Sequence, residues 1–283
     1  MHLITVVALG SPVLERAALG LFLALGVALA AFAARSLDRS GVVAATLCGT
    51  VAAAAGWPWA VLLVAYFVAS SLVSHAGRAA KEARAGNVTA KGGRRDAAQV
   101  LANGGIFALA AAATLLSGSR IWVWGALGAL AASAADTWST EIGLLWGGTP
   151  RTIVSRTIVR SGESGGVTAV GTTGALAGAA LVAACAAMLG FPPGAALASL
   201  GAGFGGALVD SILGETVQER RFCDGCATRT EQAVHGCGTP TRRIGGIRSL
   251  DNDVVNALAT LAGFLIGIMT GIAWTGGVSR GMG

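Results

Sequence analysis

Charged residues are scarce in this chain. Lysine, arginine, aspartate and glutamate make up only 12% of its 283 residues, about half the fraction typical of soluble globular domains. Two soluble domains, which the length alone would allow, are therefore disfavoured. Intrinsic disorder is excluded as well, because 54% of the residues are hydrophobic and disordered segments hold too little apolar material to fold.

Proline and histidine are also rare, and familiar catalytic motifs are missing. Only 6 prolines accompany 43 glycines that have no three-residue period, which excludes a collagen-like chain. The sequence has no P-loop, no glycine-rich kinase signature, no Ser/His/Asp grouping and no nucleophile elbow. A soluble kinase fold is therefore not implied. The mean hydropathy of +0.68 instead indicates a polytopic membrane protein.

Eight apolar stretches can cross, or nearly cross, a hydrocarbon core that takes about 20 helical residues. No alternation with a period of two persists over ten residues, so transmembrane strands are disfavoured. We therefore predict one integral membrane domain over 1–283, an all-α bundle of about eight spans. The predicted spans are 17–34, 41–55, 59–76, 100–117, 121–135, 167–189, 195–213 and 254–275.

Positive charge is sorted to one side of this arrangement. The loops on that side hold 17 of the 20 basic residues, and positive charge marks the cytoplasmic face. We therefore expect both termini outside and, in a prokaryote, a location in the plasma membrane. The basic residues are spread over several short loops, which disfavours nucleic acid and favours anionic lipid, phosphate or nucleotide as partners. These loops are 35–40, 77–99, 136–166 and 214–253.

Acidic residues follow the fifth and seventh predicted spans. Asp136 is followed five residues later by Glu141, and Asp210 is followed at the same spacing by Glu215. Acids at membrane depth are costly and usually belong to a site or an ion pair. Three interpretations stay open: a metal and phosphate site, a buried pair of aspartate with arginine, or translocation of protons or ions.

Polar residues also stand at the starts of the fourth and eighth spans. Each set lies along one helical face, and an N-cap explains one residue of each. Capping does not explain Gln99, Asn103 and Asn256, which fall inside apolar helices. The two sets are Asp96, Gln99 and Asn103, and Asp251, Asn252, Asp253 and Asn256.

If these residues converge, their oxygen atoms suit Mg²⁺, which takes one or two carboxylates together with substrate phosphates. Asp136 and Asp210 are the predicted magnesium ligands, with Asp253 nearby. Cations that neutralise phosphate oxygens complete what phosphoryl or nucleotidyl transfer requires. The candidate cations are Lys91, Arg94 and Arg95.

Three of the five cysteines form a cluster with a histidine in the last basic loop, 214–253. A CxxC…HxC spacing is typical of a tetrahedral zinc knuckle, and four protein ligands would make the zinc structural. A disulfide, which a cytoplasmic face disfavours, and unliganded thiols are the alternatives. Cys48 and Cys185 lie in apolar spans as packing residues. The predicted zinc ligands are Cys223, Cys226, His235 and Cys237.

At these motifs the sequence resembles an integral membrane family that includes the plant phytyl-phosphate kinase and animal transmembrane protein 19. A more distant likeness is to CTP-dependent polyprenol kinases and to phosphatidate cytidylyltransferase. Relative to the family pattern, Glu163 and Ser164 replace a Thr-Asn pair, no lysine stands near Gly148, and Glu215 replaces a small residue. The matching stretches are KGGRRDAAQVLANGG from Lys91, ADTWSTEIG from Ala135, SGGVT from Ser164, DSILGETVQ from Asp210 and LDNDVVN from Leu250.

The resemblance implies a kinase that converts a prenyl or phytyl monophosphate to the diphosphate with a nucleoside triphosphate, CTP being the expected donor. Gly165 and Gly166, just before the sixth span, fit a phosphate-binding loop. The resemblance points to Lys91, Arg94, Asp96, Gln99, Asn103, Asp136, Glu141, Asp210, Gln218, Asn252 and Asn256 as site residues.

Two other functions remain possible. The same acids and the glycine-interrupted helices are typical of transporters, and a lipid-binding or assembly factor would need no turnover. Transport predicts polar residues distributed through the bilayer, whereas here they cluster on one side. This clustering favours the enzyme.

Overall fold

The computed structural model describes residues 11–85 and 94–280. Each predicted span coincides with a helix, and a short helix, α4, lies in the second basic loop. The helices are α1 (Ser11–Ala33), α2 (Arg39–Ala55), α3 (Trp57–His75), α4 (Arg78–Ala85), α5 (Ala97–Ser117), α6 (Ile121–Trp146), α7 (Ala169–Met188), α8 (Pro193–Thr216) and α9 (Asn252–Arg280).

Six of these helices, α1, α3, α5, α7, α8 and α9, are long and apolar enough to cross a membrane. Helix α2 is apolar but has 17 residues, and α6 has 26 residues with polar groups in its last turns. The predicted helical membrane fold is thereby confirmed. The predicted number of spans, about eight, is approximate.

Helix α6 corrects one predicted boundary. Hydropathy falls at Asp136, so the sequence placed the end of this span at residue 135. The helix runs on to Trp146, because acidic and hydroxyl side chains interrupt an apolar stretch without breaking a helix. Asp136 and Glu141 therefore stand on the helix and not in a loop after it.

Helix α6 is the centre of the bundle. Every residue from Val123 to Ala135 is buried, and helices α3, α5, α7, α8 and α9 all contact it. Small residues permit this approach. A Cβ at Gly128 would lie 2.2 Å from the carbonyl oxygen of Gly263 on α9, and one at Gly178 on α7 would lie 2.5 Å from the Ala134 oxygen.

The loops with most of the positive charge meet at one end of the bundle. Ser36 and Asp38 form backbone hydrogen bonds with Arg95 at 2.9 and 3.0 Å, which joins the starts of α2 and α5. Arg84 donates to the Gly147 carbonyl at 3.2 Å. Arg160 donates to the Thr228 hydroxyl at 2.7 Å. The loops that hold most of the positive charge therefore lie at the same end of the bundle. The face of the membrane at which this end lies stays a prediction.

The described parts of these loops contain five short strands. Strands β1 (Arg151–Thr152) and β2 (Gly166–Val167) pair antiparallel between α6 and α7. Strands β3, β4 and β5 form an antiparallel sheet in the order β4-β3-β5 between α8 and α9. Their ranges are β3 (Arg220–Cys223), β4 (Thr228–Thr230) and β5 (Arg242–Gly245).

Candidate functional site

A pair of carboxyl groups from the two central helices lies near the loop end of the bundle. The side chains of Asp136 on α6 and Asp210 on α8 lie within hydrogen-bonding distance of each other, and both residues are partly exposed. The Asn256 amide, with its nitrogen facing Asp210, donates to Asp210 Oδ2 at 3.1 Å. Two ionised carboxylates in contact repel, so this pair needs a shared proton or a cation. Three predicted site residues from three helices therefore meet.

A chain of hydroxyl and amide groups begins one turn before Asp136. Ser133, three residues earlier on the same face of α6, donates to Asn103 Oδ1 at 2.9 Å. The Tyr66 hydroxyl lies 2.5 Å from Ser133 Oγ. Tyr66 and Ser133 were not predicted as site residues. The signal was available, since Tyr66 is the one tyrosine of the sequence and stands in an apolar span.

Glu141 does not join the carboxyl pair by hydrogen bonding and instead pairs with a lysine of α4. Lys81 Nζ lies 2.6 Å from Glu141 Oε2. The same ammonium donates to the Val73 carbonyl at 2.6 Å and to the Ser74 carbonyl at 3.1 Å. All three ammonium protons are therefore used. This buried pair ties α4 to α6 and to the end of α3, and a catalytic role for Glu141 stays a prediction.

An apolar cavity of about 70 Å³ lies between α1, α2, α3 and α5. Its polar lining comes from Tyr66 and from three residues of the 95–103 segment, Arg95, Gln99 and Asn103. The Arg95 guanidinium lies 5.9 Å from the centre of the Phe67 ring. Gln99 and Asn103, which are predicted site residues of α5, and Arg95 before the helix thus line an otherwise apolar cavity.

Arg94, which precedes Arg95 in the chain, is exposed, and its guanidinium lies 5.9 Å from the Phe32 ring. Asp96 is the N-cap of α5 and accepts from the Gln99 backbone N–H at 3.0 Å. Asn103 Nδ2 donates to the Gln99 carbonyl at 2.9 Å. Lys91 lies outside the described residues.

A polar cavity of about 300 Å³ lies between the α6–α7 loop, the end of α8 and the β3–β5 sheet. The buried Gln218 in its wall donates to Glu231 Oε1 at 2.9 Å, and the Ser164 hydroxyl donates to the same oxygen. Glu231 is also close enough to Asp210 for their charges to repel. Sequence reasoning missed Glu231, because it stands in a polar loop without periodicity.

Glu215 organises the wall of the polar cavity. Its carboxylate accepts from the backbone N–H groups of Val154 and Ser155, both at 2.7 Å. Gly165, with φ of +80°, packs against the same helix end, and a Cβ there would lie 2.6 Å from the Glu215 nitrogen. Gly166 pairs in β2. Packing therefore accounts for both glycines, and their role in phosphate binding stays a prediction.

The predicted site residues at the start of α9 take part in backbone hydrogen bonds and in the N-cap of the helix. The Asp251 carboxylate accepts from the backbone N–H groups of Asp253 and Val254, both at 3.1 Å. Asn252 is the first residue of the helix, and its carbonyl faces the Asn256 amide at 3.3 Å. Asp253 is half-buried in the first turn. The N-cap of α9 is thus Asp251, one of the residues of the set in which an N-cap was expected.

The predicted cysteine and histidine cluster also comes together. One ligand atom of each residue lies within 4.8 Å of those of the other three. Hydrogen bonds to the Thr239 hydroxyl and then to the His235 ring lower the pKa of Cys237 to about 5. A hydrogen bond to Cys237 raises the pKa of Cys226 to about 11. The cluster members are Cys223, Cys226, His235 and Cys237.

Comparison with known proteins agrees with this membrane architecture. The chain is 32% identical over 277 residues to "Protein PGR" of Arabidopsis thaliana, covering 87% of this chain and 92% of that protein. It is 28% identical over 236 residues to "Uncharacterized membrane protein MJ0933" of Methanocaldococcus jannaschii, covering 83% and 86%. No solved structure matches the chain. Residues 22–264 match the family described as "Integral membrane protein DUF92", and the chain therefore belongs to this integral membrane family.

Proposed function

We propose that this protein is a membrane-embedded phosphotransferase. It would transfer the terminal phosphoryl group of a nucleoside triphosphate, expected to be CTP, to a prenyl monophosphate. The P–O bond between the last two phosphates of the donor breaks, and a new bond forms to an oxygen of the acceptor phosphate. The products are a nucleoside diphosphate and a prenyl diphosphate.

One observation supports this proposal most: the Asp136–Asp210 pair is linked to two cavities of opposite character. Ser133, one turn before Asp136 on α6, donates to Asn103, which lines the apolar cavity. Glu231, which is close enough to Asp210 for their charges to repel, lines the polar cavity. An enzyme that joins an apolar acceptor to a charged donor requires this arrangement.

The apolar cavity suits the start of a prenyl tail, with the rest of the tail among lipid. Burial of apolar groups stabilises binding by about 0.8 kcal/mol per methylene. Arg95 at the cavity would neutralise the phosphate of the acceptor, with Arg94 beside it. The polar cavity, with Arg220, Arg221 and Arg229 in its wall, suits the phosphates of the donor.

The carboxyl pair fits a magnesium ion. Two carboxyl groups from different helices are in contact and partly exposed, and hard oxygen ligands of this kind are what Mg²⁺ prefers. Asp136 and Asp210 would hold the ion, which when bound neutralises charge on transferring phosphates. The arginines would stabilise the remaining charge of the transferred group. The acceptor phosphate is already ionised, so the reaction needs no dedicated general base.

The test is a transfer assay with full-length protein in lipid nanodiscs. It uses terminally labelled CTP or ATP, Mg²⁺ and prenyl monophosphates of several chain lengths. We expect labelled diphosphate from the wild type and a loss of about 100-fold or more in Asp136→Asn and Asp210→Asn. Glu82→Gln is the matched control, because Glu82 is an exposed acid on α4 that pairs with Arg78.

Absence of diphosphate with every nucleotide and acceptor would contradict the proposal. Uptake of a substrate into vesicles without nucleotide consumption would favour transport instead. Nucleotide consumption that is equal in the wild type and in Asp210→Asn would also contradict it, because the carboxyl pair would then have no role in the reaction.

A further inference from the structure

The cluster in the loop between α8 and α9 has the geometry of a tetrahedral metal site. Cys223 ends β3, Cys226 lies in the turn to β4, and His235 and Cys237 lie between β4 and β5. The sulfur atoms of Cys223 and Cys237 are 3.6 Å apart. Tetrahedral zinc with Zn–S bonds of 2.3 Å places its sulfur ligands about 3.8 Å apart. The separation therefore matches zinc ligation, whereas a disulfide bond requires about 2.0 Å.

His235 faces this cluster with one ring nitrogen. Its Nδ1 lies 3.1 Å from the sulfur of Cys237. The residue is 5% exposed, and the other ring nitrogen, Nε2, has no hydrogen-bond partner in the part of the chain that the structure describes. The buried ring therefore presents Nδ1 to the sulfur atoms of the cluster, which is the orientation that a histidine ligand of zinc requires.

The loop that contains the cluster has no hydrophobic core of its own. Between residues 219 and 250 the buried residues are two threonines, one cysteine and one histidine, and none is aliphatic or aromatic. Val234 and Ile247 are instead more than half exposed. Small units with so little apolar burial are normally held together by disulfides or by a structural metal. All five cysteines of the chain are free thiols, which leaves the metal.

We propose that Cys223, Cys226, His235 and Cys237 bind one structural zinc ion that holds the β3–β5 sheet together. The four protein ligands fill the tetrahedral coordination, so the ion has no position for substrate. The zinc fixes the turn after β3 and the segment before β5, and therefore the relative positions of all three strands.

This zinc site also shapes the polar cavity. Strand β3 provides Arg220 and Arg221 to its wall, β4 provides Arg229 and Thr230, and Glu231 follows directly. Loss of the metal would release these residues together. The inference does not depend on the proposed phosphotransfer, because a structural zinc would hold this wall in a transporter or a binding protein as well.

The experiment measures the metal in full-length protein purified without chelators. Elemental analysis is expected to give about one zinc ion per chain, and replacement by Co²⁺ is expected to give thiolate-to-cobalt charge-transfer absorption. Cys223→Ser and Cys226→Ser should lose the zinc. Cys48→Ser and Cys185→Ser are matched controls in the membrane helices and should retain it.

A rescue variant separates ligation from folding. His235→Ala should lose the zinc, whereas His235→Cys should retain it, because four cysteines also form a structural zinc site. Helical content by circular dichroism, unchanged in all variants, shows that the bundle is intact. Zinc near zero in the wild type with no cobalt absorption would overturn the proposal, and so would zinc content unaffected by Cys223→Ser or a native Cys223–Cys237 disulfide in mass spectrometry.

Discussion

The carboxyl groups of Asp136 on α6 and Asp210 on α8 lie within hydrogen-bonding distance of each other at the loop end of the bundle. Two acids in contact are unfavourable unless a proton or a cation is shared between them. Such unfavourable arrangements are typical of functional sites, where a loss of local stability is tolerated because the arrangement serves the function. This pair, together with the two cavities linked to it, is the reason for regarding the loop end as the active end.

The buried ion pair between Lys81 and Glu141 predicts a large cost when one partner is removed. Lys81→Met should destabilise the protein by about 3 kcal/mol or more, because Glu141 keeps a charge that is largely buried and unpaired. The double variant Lys81→Met with Glu141→Gln should recover part of this loss. Reversible unfolding in mixed micelles measures the free energies.

The control for this prediction is the exposed pair on α4. Arg78 and Glu82 are 44% and 65% exposed, so Arg78→Met should cost less than about 1 kcal/mol. Equal losses in the free energy of unfolding for Lys81→Met and Arg78→Met would show that the Lys81–Glu141 pair stabilises the protein no more than the exposed pair does.

Glu215 should order the turn that it binds. Glu215→Ala removes two charge-assisted hydrogen bonds from the backbone of Val154 and Ser155. Hydrogen exchange at these two amides should accelerate by more than tenfold. Glu163→Gln, which alters an ion pair with Arg229, should leave both amides unchanged. Slow exchange at Val154 in Glu215→Ala would contradict the assignment.

Close packing of α9 on α6 predicts that Gly263 cannot accept a methyl group. A Cβ at this position would lie 2.5 Å from the Gly128 carbonyl oxygen, whereas one at Gly201 on α8 meets nothing within 4 Å. Gly263→Ala should therefore destabilise the bundle by about 1–3 kcal/mol. Gly201→Ala should not destabilise it. Thermal unfolding of the two variants side by side makes the comparison, and equal melting temperatures would contradict the packing.

Acid should loosen the segment before α9 through Glu219. The backbone N–H of Ser249, and then the Arg221 guanidinium, hold the pKa of Glu219 below its ordinary value of 4.5. A lowered pKa in the folded state contributes stability that is present above pH 4.5 and is lost as the pH falls through the folded-state value. Exchange at the Ser249 amide should therefore rise, relative to neighbouring amides, as the pH falls below 4.5.

Glu219→Gln is the test of that mechanism. This variant should show fast Ser249 exchange at neutral pH and no additional relative rise in acid. An acid-dependent rise of the same size in Glu219→Gln and in the wild type would place the titrating group elsewhere.

Much of the fold was predictable because apolar length and charge sorting report on a membrane directly. The convergence of Asp136 and Asp210 was also suggested by the sequence, since both stand at the same end of predicted spans. The cysteine and histidine cluster followed from its spacing alone. Local sequence therefore identified those residues whose roles depend on residue type at a helix end or in a short motif.

Other features depend on contacts between distant segments. Lys81 and Glu141 are 60 residues apart, and no periodicity connects a loop helix to the end of α6. Glu231 reaches the polar cavity only because the β3–β5 sheet folds over the end of α8. The span at residues 121–135 was predicted too short because hydropathy reports burial in lipid, whereas α6 is surrounded by protein and continues as a helix through polar residues.

The most direct test of the central claim is transfer of label from terminally labelled CTP or ATP into a prenyl diphosphate by protein in sealed vesicles, with uptake followed in the same sample. The account predicts magnesium-dependent labelled diphosphate that disappears in Asp136→Asn and Asp210→Asn and persists in Glu82→Gln. Uptake without nucleotide consumption, or label transfer that is unchanged in both aspartate variants, would contradict it.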